Sequence, residues 1–541
     1  MITSELQTLT SAALAQLSDE LREVRQLNHG TSLIDYLLAC SGATQSTRAL
    51  VYLLWQTYGD DEEILRCKLR NLNAQCGRFL NLYGDGLVNV LRAPARINIL
   101  GEHIDYVSYL PTASLPFGSR EHDMTMLYRA TEEERVDGAS MLEAYPPFNF
   151  RLGAVPSADG KDTIEGKWLS YLYGNPPPAS HWGNYVKGAV YFACLKYGEA
   201  VNRGFTFLVD SSIPPSGGAS SSSALTVLAG EAIREVNRIT YTPEELAQDS
   251  AQAEWYVGTR GGSLDHTALC LAARGHAVRI AYRDQQTSLV PLPDERFCWV
   301  TFFSHPADKG REVMIEYNER VAVSRVLIPA VIDGWELTRT DRYLTWCSEI
   351  EALQAGGSTW ALDQIERLLD ELPQTLSLAE VEQNYPKAFL ECSRLFPALL
   401  EERGASPLKV RDRARHHLGE VRRVHEAQRT LDTVFRSATS QETLLPDFGV
   451  QTLGRLLNES HQSLRDLYEV STPEVERLIE ILLSDPNVYG ARLMGGGFGG
   501  NVLALTSREN VATLIDHVQS EFYTPRRRAG VREGAVMVST P

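Results

Sequence analysis

The sequence predicts a chain that mixes sheet strands with helices, and three stretches predict it. Phe205–Val209 is a short apolar run of strand character. Pro214 and Pro215 close it, and Gly217, Gly218 and four serines lead into Ala224–Ala232, which has the composition of a helix. His276–Tyr282, Ser288–Leu292 and Phe297–Phe303 alternate as sheet strands do, and a series of segments with helical spacing follows them. Gly490–Leu505 reads as strand, loop and strand, with five glycines around Phe498.

The stretch Ser212–Ala232 organises the rest. A strand, a glycine loop and a helix start leave free amide N–H groups at the positive end of a helix dipole, where a phosphate is favoured. Serine hydroxyls there can add hydrogen bonds to phosphate oxygens or a ligand to Mg²⁺. A flexible Ser/Gly linker is the competing reading, but linkers seldom sit between an apolar strand and an alanine-rich helix. No G-x-x-x-x-G-K-[ST] occurs in the chain, so this is not the P-loop arrangement.

With 541 residues the chain is long enough for two or more domains. Its net charge of −17 argues against nucleic acid or an anionic membrane as partner. Arg526–Arg528 is the one tight basic cluster, and it reads as a solvated turn. Eight cysteines are scattered without a C-x-x-C, which fits a reducing cytosol and neither a zinc site nor a disulfide scaffold. With neither a signal segment nor a membrane span legible, the expected location is the cytoplasm.

Taken in order, residues 1–61 carry helical spacing at Leu6, Leu9, Ala13, Leu17 and Leu21 and no catalytic constellation. They are expected to form a helical extension with a packing or self-association role. Ile64–Leu82 is a further amphipathic helix and Leu87–Val90 a short strand. From Arg92 to Tyr106 the chain reads R-A-P-A-R-I-N-I-L-G-E-H-I-D-Y, with Arg96, Asn98, Glu102, His103 and Asp105 within ten positions. Acceptors at that density suit the hydroxyls of a polyol; a charged loop and a metal cluster are the alternatives, the last lacking a third short-range ligand. Arg120–Lys187 is hard to read until His181–Val190, where Trp182 and Tyr185 stand three apart at a helix start, placed either to stack on a planar base or to fill core. Thr242–Ala253 is a capped helix running into A-E-W-Y-V-G-T-R-G-G-S-L-D-H, in which Glu254 and Asp265 flank a glycine loop. Helices are expected over Glu312–Leu327, Thr340–Ala355, Ser358–Leu372, Leu378–Arg403, Leu408–Val434, Gly449–Tyr468 and Thr472–Leu483. The strongly basic Leu408–Val434 reads as a solvated charged face.

Three elements therefore stand in a fixed order: the acid-rich segment, the Gly/Ser loop before a helix, and the late glycine hairpin. That order resembles the GHMP small-molecule kinases, and R-I-N-I-L-G-E-H-I-D-Y resembles the signature of their galactokinase branch. H-W-G-N-Y-V-K-G, E-W-Y-V-G-T-R-G-G-S-L-D, R-D-R-A-R-H and the Glu459–Glu474 stretch match further blocks, from about Ile64 to Leu505. The resemblance implies an α+β fold of two lobes. An N-terminal lobe of the ribosomal-protein-S5 type would span residues 62–290 and a ferredoxin-like C-terminal lobe residues 291–541. It implies an ATP- and Mg²⁺-dependent kinase acting on the anomeric hydroxyl of galactose or a galactose-like sugar. Asp265 then matches the catalytic aspartate and Arg96 the arginine beside it. Glu102, His103, Asp105, Gly262 and Tyr317 match sugar contacts. Gly217, Gly218, Ala219, Ser220, Ser221, Ser222 and Ser223 match the phosphate loop, with Trp182 and Tyr185 near the nucleotide. Ser223 and Glu254 match the Mg²⁺ ligands.

The chain also departs from the family pattern. Val107 replaces a usual Asn in a shortened loop beside the sugar, and His266 replaces a Gln after Asp265. Ala219 and Ser220 replace Gly-Leu, Ala95 a Gly and Asn501 a Cys. None removes a catalytic group. The altered loop leaves N-acetylgalactosamine, L-arabinose or a uronic acid as alternative acceptors, while Glu102 favours a hexose with a free 6-hydroxyl. A sugar- and ATP-binding sensor without turnover is the rival from another class.

Overall fold

Leu87–Val90 and the start of the Arg92–Tyr106 stretch, separate features of the sequence, share one strand, β2 (Leu87–Asn98), interrupted by a bulge between Pro94 and Arg96. The bulge accommodates a proline that cannot donate to the ladder. The computed structural model describes residues 9–10, 54–59, 61–153, 163–177, 181–214, 218–258, 261–306, 311–338, 341–355, 359–396, 399, 406–436, 445–528 and 536–541. Gly217 and most of the extension lie outside the described residues.

The first sheet is six-stranded, in the order β1 (Leu9–Thr10), β2, β4 (Pro116–Ala130), β7 (Phe205–Ser211), β5 (Arg135–Ser140) and β6 (Phe148–Arg151). Leu9, assigned to a helix by its spacing, instead pairs with Val88 in this sheet. Only β5 and β7 run parallel. The helices Gly183–Tyr197 and Ser221–Val236 contribute Val186, Val190, Ala224, Leu228 and Ile233 to the core, all fully buried. Beside the sheet lies a small one of β3 (Ala113–Ser114), β8 (His276–Ala281) and β9 (Gln286–Pro291).

The second sheet contains β10 (Phe297–His305), β13 (Val488–Met494), β14 (Gly500–Ser507) and β15 (Val536–Ser539), all antiparallel, in the order β13-β14-β10-β15. Among the described residues between β10 and β13 the elements are helices, apart from a two-stranded pairing of β11 (Thr375–Leu376) with β12 (Leu408–Lys409). The expected helix Leu378–Arg403 is divided at Pro386 into Leu378–Asn384 and Pro386–Leu395, because proline cannot continue the first helix. Strand β15, which the sequence analysis does not foresee, joins the two sheets. Thr540 accepts from the Arg120 amide at 3.0 Å, and its hydroxyl donates to Glu121 at 2.5 Å.

Strand β4 was obscured by its charged middle, Arg120–Asp123. The fold absorbs the Asp123 charge with Arg92 at 2.7 Å, Lys68 at 2.5 Å and the Tyr58 hydroxyl at 2.5 Å. Arg526–Arg528, expected as a turn, ends a short helix, Thr524–Arg528, with Arg526 over the Phe522 ring. Among the described residues no helix is long and apolar enough to cross a membrane.

Candidate active site

Two cavities meet at Arg96, Asp265 and Gly496. Arg96 lies just past the bulge of β2 and Asp265 opens the helix Leu264–Leu271. Nε and Nη2 of Arg96 each stand 2.6 Å from Oδ1 of Asp265, which leaves Oδ2 for a substrate. Nη1 of the buried Arg96 has no partner among the described residues and is a spare donor at the junction.

The smaller cavity, about 180 Å³, is walled by Glu102, His103, Asp105, Gly261, Gly262 and Tyr317, and Ser223, Glu254 and His266 also line it. The structure thus gathers every sugar contact that the resemblance assigns. The loop after β2 places the acids, and His103 holds a left-handed backbone angle of φ 59° within it. A Cβ on Gly262 would fall 2.4 Å from Oδ2 of Asp105, so only glycine lets that carboxylate lie where it does. Burial, then the charges of Asp265 and Glu102, push the Asp105 carboxyl up to about 7. Burial likewise pulls the His103 imidazole down to about 4, so it is neutral near pH 7. Glu102 gives one oxygen to the protein: Oε2 accepts from Arg492, from Asn98 at 3.1 Å and from the Gly495 amide at 3.1 Å.

The larger cavity, about 500 Å³, is lined by Trp182, Tyr185, Gly218, Ser220, Ser221 and Ser222 and, across from them, Gly495–Gly497. Gly218 has φ 75°, and a Cβ on it would stand 2.8 Å from the Met494 carbonyl. The late glycine hairpin is therefore pressed against the serine loop, and through Gly495 against Glu102. Ser220 caps the helix Ser221–Val236 in a left-handed conformation and makes no side-chain cap bond. Its buried hydroxyl has no partner among the described residues, and the helix start faces the cavity with free donors. Ala219 is buried behind the loop, its carbonyl accepting from the Arg96 amide at 3.3 Å. Ser223 and Glu254 converge: the hydroxyl donates to Oε2 at 2.8 Å. His266 Nε2 stands 2.8 Å from the same oxygen, out of line for a hydrogen bond.

The supporting layer was missed in the sequence. Helix Val410–Leu431, expected as a solvated charged face, buries Arg413, His416, His417 and Glu420. Oε2 of Glu420 accepts from the amides of Gly101 at 2.7 Å and Glu102 at 3.4 Å, and His416 Nε2 donates to the Glu102 carbonyl at 3.1 Å. The signal was the pair of adjacent histidines four and three residues before Glu420, on one helix face. Arg492, whose guanidinium reaches Glu102, stands in an apolar strand run with nothing in the sequence to mark its target.

Family comparisons agree with this geometry. Residues 184–273 match the GHMP kinases N terminal domain, residues 444–524 the GHMP kinases C terminal model, and residues 77–113 the galactokinase galactose-binding signature. The chain is 28% identical over 448 residues to the galactokinase of Bos taurus, covering 82% of this chain and 90% of the relative. It is 28% identical to that of Homo sapiens, covering 80% and 86%. Among solved structures it is similar to Lactococcus lactis galactokinase complexed with galactose. That match has a TM-score of 0.59 and 25% identity and covers 87% of this chain and 98% of the other.

Proposed function

Because the chain belongs to the GHMP kinases, on their galactokinase branch, we propose that it transfers the γ-phosphoryl group of ATP to the anomeric hydroxyl of galactose or a galactose-like sugar. The observation that carries the reading is the Arg96–Asp265 pair at the meeting of a carboxylate-lined cavity with one lined by a helix start and glycine amides. Asp265 Oδ2 takes the proton of the sugar hydroxyl as its oxygen forms a bond to phosphorus; the bond from phosphorus to the ADP oxygen breaks. Arg96 holds Asp265 through Oδ1, and Nη1 donates to the developing negative charge. The serine-loop amides hold phosphate, and Trp182 and Tyr185 flank the rest of the nucleotide.

Mg²⁺ fits the oxygen donors at Ser223 and Glu254, which already converge on one point. When bound, it neutralises charge on the phosphates. The described cysteines are all free, which supports a cytoplasmic site of action. The bond from Tyr58 to Asp123 supports a packing role for residues 1–61, with self-association as its other expected role.

A second acceptor class has one observation in its favour. A cavity of about 450 Å³ adjoins the sugar cavity past Asp105, Gly261 and Gly262, roomy enough for a substituent such as the acetamido group of N-acetylgalactosamine. The test is ADP release with ATP, Mg²⁺ and a panel of monosaccharides. Galactose is expected to be used best, and L-arabinose, which lacks the 6-hydroxyl, poorly. ADP release with none of the sugars would leave a sensor; preference for N-acetylgalactosamine would assign the adjoining cavity to the substituent.

A further inference from the structure

Six side chains form an unbroken buried chain of hydrogen bonds that ends in the sugar cavity. Tyr109 Oη lies 2.6 Å from His417 Nδ1, and His417 Nε2 lies 3.0 Å from Ser324 Oγ. Ser324 Oγ is 3.2 Å from Tyr468 Oη, which is 2.8 Å from Tyr106 Oη, which is 3.1 Å from His103 Nδ1. His103 Nε2 has no partner among the described residues, and its side chain lines the cavity. Burial holds His103 and His417 neutral near pH 7, so each imidazole carries one proton.

If every hydroxyl passes its hydrogen along the chain, the hydrogens run in one of two directions; a hydroxyl that accepts from both neighbours leaves its own hydrogen without an acceptor. In the first, Tyr109 donates to His417, His417 to Ser324, Ser324 to Tyr468, Tyr468 to Tyr106, and Tyr106 to His103 Nδ1. Every hydrogen has an acceptor, and His103 carries its own on Nε2. In the second, His103 Nδ1 donates outward, and the chain ends with His417 donating to Tyr109. The Tyr109 hydroxyl hydrogen is then left buried with no acceptor among the described residues, an arrangement folded proteins avoid.

We infer that Tyr109, remote from the cavity, is a positioning residue that fixes the tautomer of His103, so that His103 offers Nε2–H to the sugar as a donor. The role of His103 toward sugar rests on the function proposed above; the direction of the chain does not. A hydroxyl between Glu102 and His103 then gives its hydrogen to the carboxylate and accepts from the imidazole. The arrangement makes an asymmetric demand on mutations. Cutting the middle at Ser324 leaves Tyr468 with Tyr106 as its one acceptor, so the direction near His103 survives. Removing the far end at Tyr109 leaves one unpaired atom on His417 whichever way the chain runs, and the preference is lost.

The experiment is ¹⁵N-histidine NMR of the full-length protein without ligand, the His103 resonances identified by their loss in His103→Gln. In the unmutated protein and in Ser324→Ala, His103 is expected as the Nε2–H tautomer. In Tyr109→Phe it is expected as a mixture, and galactose affinity falls by about twofold, the share of competent tautomer. Saturating galactose should restore the single tautomer in Tyr109→Phe. An Nδ1–H tautomer in the unmutated protein overturns the inference even if Tyr109→Phe does not fold. So does a mixture in Ser324→Ala, or an unchanged tautomer in Tyr109→Phe. If the tautomers behave as expected but galactose leaves the mixture untouched, the chain stands and the sugar-contact role of His103 falls.

Discussion

Arg96 holds Asp265 by a single oxygen, Nε and Nη2 both 2.6 Å from Oδ1. A bidentate pair would occupy both carboxylate oxygens, whereas this one engages Oδ1 alone and leaves Nη1 with no partner among the described residues. The pair thus has the geometry that the proposed transfer asks of a base and a charge stabiliser. Asp265→Asn keeps the size of the side chain and removes its basicity. It is expected to lower kcat by about 10²-fold or more while the Kd for ATP changes little, because the proposed phosphate site is the serine loop and not Asp265. Single-turnover kinetics with nucleotide titration checks it, and near-normal turnover would remove Asp265 from the chemistry.

Gly262 is the floor on which Asp105 rests. With a Cβ 2.4 Å from Oδ2 and 2.7 Å from the Asp105 carbonyl oxygen, Gly262→Ala has to displace the carboxylate or the loop. Loss of one charged hydrogen bond to a sugar hydroxyl corresponds to roughly tenfold or more in galactose KM. The KM for ATP should stay within about twofold, since the nucleotide cavity lies across the Arg96–Asp265 pair. Steady-state kinetics on both substrates separates this from general damage, which would raise both.

Glu420 is completely buried and ties the loop after β2 to two helices: Oε1 accepts from Arg423 on its own helix at 2.7 Å and from Ser460 on the helix Leu445–Asp466 at 2.8 Å. Burial works against its charge, but Arg423, His416 and Arg492 outweigh that and bring the carboxyl down to about 2. A carboxyl depressed on folding gives stability that is full above its ordinary range near 4.5 and is lost as pH falls toward 2. Glu420→Gln leaves Arg423 without its counter-charge and is expected to destabilise by about 3 kcal/mol. Denaturant unfolding at pH 7 and pH 4 checks it: the mutant's deficit should be larger at pH 7.

The parts legible in sequence were those where local chemistry is dense. Arg96, Glu102, His103, Asp105 and Asp265 stand in short stretches too polar for their apolar surroundings, and the fold brings them together. The serine loop announced itself by the residues that end a strand and start a helix. What stayed hidden depends on partners far away in the chain. Arg492 meets Glu102 across 390 residues, and Glu420 meets Gly101 across 319. Periodicity marks which face of Val410–Leu431 is turned inward, but the buried residues there include Arg413, His416, His417 and Glu420, and a charged helix reads as solvated until its partners are seen. Strand β4 was hidden for the same reason, since Asp123 is acceptable in a sheet only with Arg92, Lys68 and Tyr58 around it.

The charge balance of the sugar cavity predicts a pH dependence of its own. Among the described residues three carboxylates, Asp105, Glu102 and Asp265, share the region with two guanidiniums; Arg96 is committed to Asp265 and Arg492 to Glu102. Of the three, Asp105 has no arginine among the described residues, and burial followed by the charges of Asp265 and Glu102 brings its carboxyl to about 7, with the Leu264 amide pulling the other way. With its folded pKa above the ordinary 3.8, Asp105 contributes stability fully below 3.8, lost progressively as pH rises through 7. Sugar binding runs in the opposite sense. A hydroxyl donates better to the ionised carboxylate, so binding favours the deprotonated form and releases a proton. About a tenth of Asp105 is ionised at pH 6 and about nine-tenths at pH 8, so the galactose Kd should fall roughly tenfold between those values and level off above. Asp105→Asn should bind weakly with no such slope. Calorimetry in buffers of different ionisation enthalpy reads the proton directly: release near pH 7 is expected, and uptake, or a slope that persists in Asp105→Asn, would place the titrating group elsewhere.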